Sequence, residues 1–448
     1  MSYPTALRTT RDLLLDLYRA ATAAAAPGPA LEVRLRNLPA EPGGRTWIFA
    51  LGKAALPMAT TAVEVLRAGP DRLAGGLIVA PEGSASPDPR LTLILGDHPE
   101  PGSGSFAAAT ALADTASRVG AADEVWVLLS GGTTSLIGAP ETGLTSADLR
   151  SLYTLLLGSG LDITAMNQIR KRFSRWGAGK LARALHPALV RVYIVSDVIG
   201  DDLASIGSGP CVPDPTTARD IHGLLDRAGL WPKIPGAARR MILSMESGET
   251  AETPKPGDRA FARVTLELVA SNRLALEAAA KRAAELGLAP DIVEVPLAGE
   301  AVTAGASVAD NLLNNCVRQS IPQPTKRRLC RIWGGETTVS LGDDQTGLGG
   351  RSQELALAAA RVLDGTPPGV ALLAAGTDGR DGPTDAAGAI VDGRTWSSII
   401  GAGGDPSRYL ARHDAYRALD AADALLRPGL TGTNVMDVVI GVCGLSEA

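Results

Sequence analysis

Four short apolar runs each empty into a loop of glycine, serine or aspartate, and this recurrence constrains the chain more than any single motif. "TWIFAL" ends at Leu51 and passes through Gly52-Lys53 into the helical "AALPMATTAVEVLRAG", and "LTLIL" leads through "GDHPEPGS" into "FAAATALADTASRV". "EVWVLL" stops at Leu129 before "SGGTTS", while "RVYIV" stops at Val195 before "SDVIGDDLASIGSGPCVPDPTT". Short continuous apolar runs bounded by turn residues read as fully buried strands, and their alternation with helical segments reads as a parallel sheet. Open parallel sheets bind ligands beyond the carboxyl ends of their strands, so these loops are where function is expected.

The rest of the chain repeats the theme. An amphipathic helix carrying Leu7, Leu13, Leu14, Leu17 and Tyr18 opens it, and "GGLIVA" adds a strand. Residues 218–248 look helical, and "DRAFARVTLELVASNRLALEAAAKRAAELGLAPDIVEVPL" reads as strand, helix, strand. A helix from Ala301 to Gln319 precedes "SIPQPTK", the best linker candidate. Beyond it, "LCRIWGGETTVSL" suggests a hairpin and "GLGGRSQELALAAARVL" a glycine turn opening a helix. "GVALLAAGTDGRDGPTDAAGAI" reads as a buried strand running into an acidic loop, and "TGTNVMDVVIGVCG" as a turn and a strand. At 448 residues the chain is long enough for two domains, each with its own core.

A formal net charge of -5 argues against a general nucleic-acid or anionic-membrane surface and points to small molecules. Cys211, Cys316, Cys330 and Cys443 stand far apart without a C-x-x-C, so free thiols in a reducing cytoplasm are expected. Asp12 and Asp16 interrupt the only apolar stretch near the N-terminus, so no export signal or anchor is expected. Neither a Walker A sequence nor a dinucleotide G-x-G-x-x-G in strand-to-helix context is present. His98, His186, His222 and His413 form no metal spacing, and no G-x-S-x-G elbow appears.

The loops offer specific chemistry. Asp197, Asp201, Asp202, Asp378, Asp381 and Asp385 follow buried runs, where a carboxylate can hold Mg²⁺ or accept a proton from a substrate hydroxyl. Ser130, Gly131 and Gly132 expose backbone N–H groups to an anion, and Lys53 adds an ammonium just before a helix. Only seven of the 43 basic residues are lysines, which gives Lys53 more weight. Arg351 opens a helix, where a guanidinium can clamp an anion through two bonds, and His98 lies in a turn beside proline, either shaping that turn or touching a substrate.

Taken together and in order, these motifs resemble those of the class II glycerate 2-kinases, two-domain enzymes often misnamed hydroxypyruvate reductase. The matching stretches are "GKAA" at Lys53, "HPEP" at His98, "LLSGG" at Ser130, "NQIRKRFS" at Asn167, "SDVIGDDLASIGSGPCVPDPTT", "GGETTV" at Glu336, "GGRSQELAL" at Arg351, "GTDGRDGPTDAAG" at Asp378 and "TGTNV" at Asn434. The resemblance implies an α/β fold: an N-terminal Rossmann-like parallel-sheet domain over 1–255, and a smaller C-terminal α/β domain with a mixed sheet over 256–448. It places the active site in the interdomain cleft and allows the termini to cross between domains. It implies ATP- and Mg²⁺-dependent phosphorylation of the 2-hydroxyl of D-glycerate, in the cytoplasm, with a homodimer open to it. By resemblance, Lys53, Asp197 and Arg351 are catalytic. His98, Ser130, Gly131, Gly132, Asn167, Arg170, Ser208, Gly209, Gly335, Glu336, Asp378, Asp381 and Asn434 bind substrate or nucleotide, and Asp197, Asp201 and Asp378 hold the metal.

Three departures bear on the acceptor. A lysine-glycine pair of the family is Gly177-Ala178 here, an asparagine is Ser352, and a threonine is Cys211. If these residues line the acceptor pocket, it is roomier and less positive, with Arg170, Lys171 or Lys180 available to restore charge. The alternatives are the same chemistry on a larger or substituted sugar acid, an NAD(P)H hydroxypyruvate reductase, or a catalytically silent binding homologue.

Overall fold

A computed structural model of the protein, describing residues 9–38, 44–319, 328–342 and 347–444, assembles the apolar runs into a sheet. Its strands are β1 (Thr46–Leu51), β2 (Leu73–Ala80), β3 (Leu91–Leu95), β4 (Glu124–Leu129), β5 (Leu189–Val195) and β6 (Val264–Ala270), in the order β3-β2-β1-β4-β5-β6. β1 runs parallel to β2 and β4, β2 to β3, and β4 to β5. Every residue of β1 and β4 is buried, as a central strand covered on both faces requires. Phe49, Val79, Val127 and Ile194 pack with Trp176 and Leu181 in one core, each large apolar side chain contributing roughly 1.5–3 kcal/mol by leaving water.

The chain leaves β1 for β2 and β3 on one side, then crosses back to β4 on the other. Strand order therefore reverses between β1 and β4, which creates a crevice at their carboxyl ends. Leu51 and Leu129 are register partners, so Gly52-Lys53 and Ser130-Gly131 leave the sheet side by side.

Helices around Leu149, Leu152, Phe173, Ile221 and Ile242 form a second apolar cluster. Against it lies a buried ionic network. Lys171 and Arg172 reach Asp214 at 3.0 and 3.2 Å, Arg172 also reaches Glu252 at 2.5 Å, and Lys180 pairs with Glu141 at 2.6 Å. Lys180 further donates to the carbonyls of Arg172 and Ser174. Lys171 and Lys180 are thereby committed to the fold and do not supply charge to a pocket.

The chain divides into two compact units, Pro27–Val269 and Met1–Ala26 with Ala270–Ala448. The division falls at 269/270, where the sequence reading put 255/256, and helix Thr10–Ala24 belongs to the second unit. That helix buries Leu13, Leu14, Leu17 and Tyr18, and Tyr18 donates to the carbonyl of Gly376 at 2.8 Å. Leu7 and the "SIPQPTK" segment lie outside the described residues.

The second unit holds β7 (Ala289–Ile292), β8 (Leu329–Gly335), β9 (Ala371–Gly376), β10 (Gly388–Asp392), β11 (Leu425–Leu426) and β12 (Asp437–Cys443), ordered β11-β10-β9-β12-β8-β7. Only β7 and β8 are parallel, so the sheet is mixed. The expected hairpin in "LCRIWGGETTVSL" does not form. β8 pairs instead with β12 and β7, and the chain turns off at Gly335, whose φ of +138° and contact with the Leu297 backbone admit no side chain.

Nor are all four cysteines free. Helix Ala301–Gln319 packs on β12 and brings Cys316 to Cys443, which are joined with their Cα atoms 6.0 Å apart; Cys211 and Cys330 are buried free thiols. Among the described residues no helix is long and apolar enough to cross a membrane.

Breaking a buried ion pair leaves an uncompensated charge in the interior, and here one carboxylate serves two cations. Asp214→Ala is expected to destabilise the Pro27–Val269 unit by about 3–5 kcal/mol. Denaturant unfolding followed by tryptophan fluorescence checks this, and a loss under about 1 kcal/mol would show that the network adds no net stability.

Candidate active site

In the Pro27–Val269 unit, four of the expected residues meet at the β1/β4 crevice because backbone hydrogen bonds tie the two loops together. Ser130 N–H donates to the Leu51 carbonyl and Lys53 N–H to the Gly131 carbonyl, both at 2.9 Å. The Ser130 hydroxyl accepts from Ala54 N–H at 2.9 Å, and the Thr133 hydroxyl donates to the carbonyls of Leu51 and Ser130. Ser130 thus holds the loops in place and is buried.

Glycine is required where the side chains converge. A Cβ on Gly131 would overlap the Asp197 carboxylate. One on Gly132, whose φ is +81°, would stand 3.2 Å from His98 Cδ2 and 3.3 Å from Lys53 Cγ. Lys53, His98 and Asp197 therefore surround a stretch of backbone without side chains. Burial raises the pKa of Asp197, and the Lys53 ammonium partly offsets the rise. Burial and then Lys53 lower that of His98, which favours neutral imidazole. The result is an exposed ammonium, a neutral imidazole and a carboxylate that has become a stronger base.

The other expected residues of this unit have different surroundings. Ser208, buried with a φ of +65°, shares a 2.9 Å hydrogen bond with Thr134, while Ser208 and Gly209 accept from Ala178 and Gly179 N–H. Arg170 lies over the Tyr153 ring at 4.9 Å, and Asn167 is half-buried on the same helix, Ile163–Phe173. Asp202 caps its own turn through Ala204 N–H and the Ser205 hydroxyl, leaving Asp201 half-buried with no ion-pair partner among the described residues.

In the second unit, Arg351 is the first residue of helix Arg351–Leu363. Its Nε and Nη2 bind Asp437 at 2.6 and 3.0 Å, and Nη1 binds Glu336 at 2.5 Å. The fork expected to clamp a substrate is thus already closed on Asp437, and Glu336 is an ion-pair partner. Asp437, buried at the start of β12, was missed by sequence reasoning; an aspartate opening an otherwise apolar strand is the signal that marks it.

Asp381 also departs from expectation. It is buried and accepts from the N–H groups of Ser352 and Gln353 at 3.2 and 2.8 Å, so it caps the Arg351 helix. Burial pushes its pKa up to about 7. Asp378 is half-buried and accepts from Arg380 N–H, and the Asn434 side chain accepts from Met436 N–H. Asp385 pairs with Arg427. Gly335 has the backbone role described above.

Among the described residues no three His, Cys, Asp or Glu side chains gather as a metal-binding group. The four residues of the three departures are also packed away. Gly177 is closed over by the Lys171 carbonyl and Ser208, Ala178 sits at a φ of +56°, and Ser352 and Cys211 are buried.

Residues 13–243 match a family described as a domain of unknown function, DUF4147, and residues 329–437 match the MOFRL family. A glycerate 2-kinase of Pyrococcus horikoshii is 36% identical over 89% of this chain and 87% of its own. A putative hydroxypyruvate reductase of Agrobacterium vitis is 38% identical over 96% and 94%. The crystal structure of a Thermotoga maritima glycerate kinase superposes with a TM-score of 0.86 at 35% identity, covering 97% of this chain and 99% of that one.

The electrostatic reading of the crevice has a direct test. Replacing Lys53 by methionine removes a cation that favours ionised Asp197 and disfavours protonated His98. Both groups are therefore expected to titrate at higher pH in Lys53→Met than in the native protein. NMR titration of the labelled His98 ring and Asp197 carboxyl checks it; unchanged midpoints would separate Lys53 from both.

Proposed function

The chain belongs to the glycerate kinase family, and from that premise we propose that it transfers the terminal phosphoryl group of ATP to the 2-hydroxyl of D-glycerate, giving 2-phosphoglycerate. The observation that carries this reading is the convergence of Lys53, His98 and Asp197 on the bare backbone of Gly131-Gly132 at the strand-order reversal. Phosphoryl transfer asks a protein mainly for positioning and for neutralisation of charge. Lys53 supplies the charge, and the glycines let phosphate oxygens approach the chain closely. Asp197, made more basic by burial, accepts the proton of the attacking hydroxyl. Neutral His98 offers a hydrogen bond without a second positive charge.

The residues present fit magnesium, which keeps several waters and takes phosphate oxygens, so that one or two protein carboxylates are enough. When bound, it would supply charge neutralisation to the triphosphate; Asp201 in the Pro27–Val269 unit and Asp378 in the other are each partly exposed and without an ion-pair partner among the described residues, and each is a candidate to hold it. Arg351, fixed by Asp437 and Glu336, keeps helix Arg351–Leu363 and the start of β12 in register.

Since Gly177, Ala178, Ser352 and Cys211 sit in packed surroundings, they give no ground for an enlarged acceptor pocket, which favours D-glycerate over a longer acid. The loop after β1 carries Lys53 where a dinucleotide fold has its glycine fingerprint, which disfavours the reductase reading.

Purified protein with ATP, Mg²⁺ and D-glycerate is expected to yield 2-phosphoglycerate by ³¹P NMR, and no NADH oxidation with hydroxypyruvate. Oxidation without phosphorylation would reverse the assignment. Asp197→Asn should lower kcat by at least about a hundredfold, the usual loss for a general base, with the fold retained. Because Asp197 must be ionised to act and its pKa is raised, activity should fall with decreasing pH at a point above the ordinary aspartate value of about 3.9. That limb should move still higher in Lys53→Met.

A further inference from the structure

Helix Thr10–Ala24 and the segment around β11 border an open cavity of about 570 Å³ that the proposed reaction does not use. On the helix side its wall is a single stripe, Arg11, Leu15, Tyr18, Arg19 and Thr22; facing it are Ile390, Leu426 and Leu430. The volume is that of a small-molecule site, within the range of roughly 300–1,000 Å³ that such pockets span.

The charge of the lining is one-sided. Among the described residues, arginines 11, 19 and 427 line the cavity and no aspartate or glutamate does, in a protein whose net charge is -5. Arg427 is neutralised outward by Asp385 and Asp420. Arg11 donates only to the Leu425 carbonyl at 3.0 Å, and neither it nor Arg19 has a carboxylate partner among the described residues. The acids on the same helix are turned elsewhere, Asp12 to Thr9 and Asp16 to Arg282. Two guanidinium groups without carboxylate partners among the described residues thus border a concave surface of mixed polar and apolar character. We propose that this cavity is a second binding site, for a small organic anion with an apolar body, whose charged group is held by Arg11 and Arg19 and whose body lies against Leu15, Ile390 and Leu426.

The cavity wall also touches the loop that carries Asp378. Thr431, part of the lining, donates through its hydroxyl to the Thr377 carbonyl at 2.5 Å and through its N–H to the Asp378 carbonyl at 3.2 Å. Tyr18, another lining residue, donates to Gly376 at the end of β9. An occupant that orders residues 428–431 therefore orders the Asp378 loop with them. This coupling stands on hydrogen bonds within one unit and does not depend on the kinase reading.

The probe is 1-anilinonaphthalene-8-sulfonate, an organic anion with an apolar body, titrated by fluorescence, with the uncharged N-phenyl-1-naphthylamine as its comparison. The native protein is expected to bind the sulfonate at one saturable site, and Arg19→Glu to weaken that binding at least tenfold with an unchanged melting temperature. Arg19 is exposed and unpartnered, so this variant tests the site even if Arg11→Gln fails to fold. Hydrogen exchange is expected to slow over 376–380 and 428–436 when the sulfonate binds, and not to slow in Arg19→Glu. Equal binding of the uncharged compound, sulfonate affinity unchanged in Arg19→Glu, or exchange protection confined to other segments would overturn the proposal.

Discussion

The pairing of β1 with β4 is the constraint on which the candidate site depends. Strand side chains alternate between faces, so a slip of one residue would set the side chains of one strand on the opposite face from their partners and part the two loops. With Leu51 opposite Leu129, the chain delivers Gly52 and Ser130 to the same point, and the Ser130 N–H and hydroxyl close onto the backbone of the neighbouring loop. Every later feature follows from that closure. Gly52 and Gly131 have no room for a side chain, Lys53 is carried to the rim, and Asp197 arrives beside Gly131 because β5 is the next parallel strand.

The acidic loops divide by how their carboxylates are satisfied. A carboxylate that accepts two N–H groups at the start of a helix, as Asp381 does, has its lone pairs committed to the fold. Asp214 serves two buried cations, Asp437 a guanidinium fork, and Asp385 a surface arginine. Asp197 differs from all of them. It has a nearby ammonium but no ion pair, and its surroundings are dry enough to make it more basic. Charge held by geometry belongs to stability, and charge left partly uncompensated is available to chemistry.

What the sequence made legible was local. Runs such as "TWIFAL" and "EVWVLL" are apolar throughout because both faces of their strands are covered, and the bounds of the helix Ala301–Gln319 follow from its own periodicity. What it concealed was long-range. Cys316 and Cys443 are 127 residues apart, Arg351 and Asp437 are 86 apart, and helix Thr10–Ala24 joins a unit that resumes only at Ala270. The hairpin expectation failed for the same reason. β8 has the composition of a strand that could fold back on itself, but the choice between that return and β12 is made by packing, which no local pattern records. In the site, Lys53, Asp197 and the glycines were readable because strand ends are. The helix cap at Asp381 resembled a ligand because caps and ligands draw on the same residue types.

The cluster around Arg351 shows why a conspicuous arginine need not be an anion clamp. One guanidinium faces the carboxylates of Asp437 and Glu336, with Asp378 close enough to raise the pKa of Asp437 further. The local charge is negative despite the arginine, so a phosphate approaching it gains less than it would from an isolated cation, while a divalent metal gains more. Around Lys53 the balance is reversed, since His98 is disposed to neutrality and, among the described residues, Asp197 is the carboxylate beside the glycines. The two clusters are therefore suited to opposite charges.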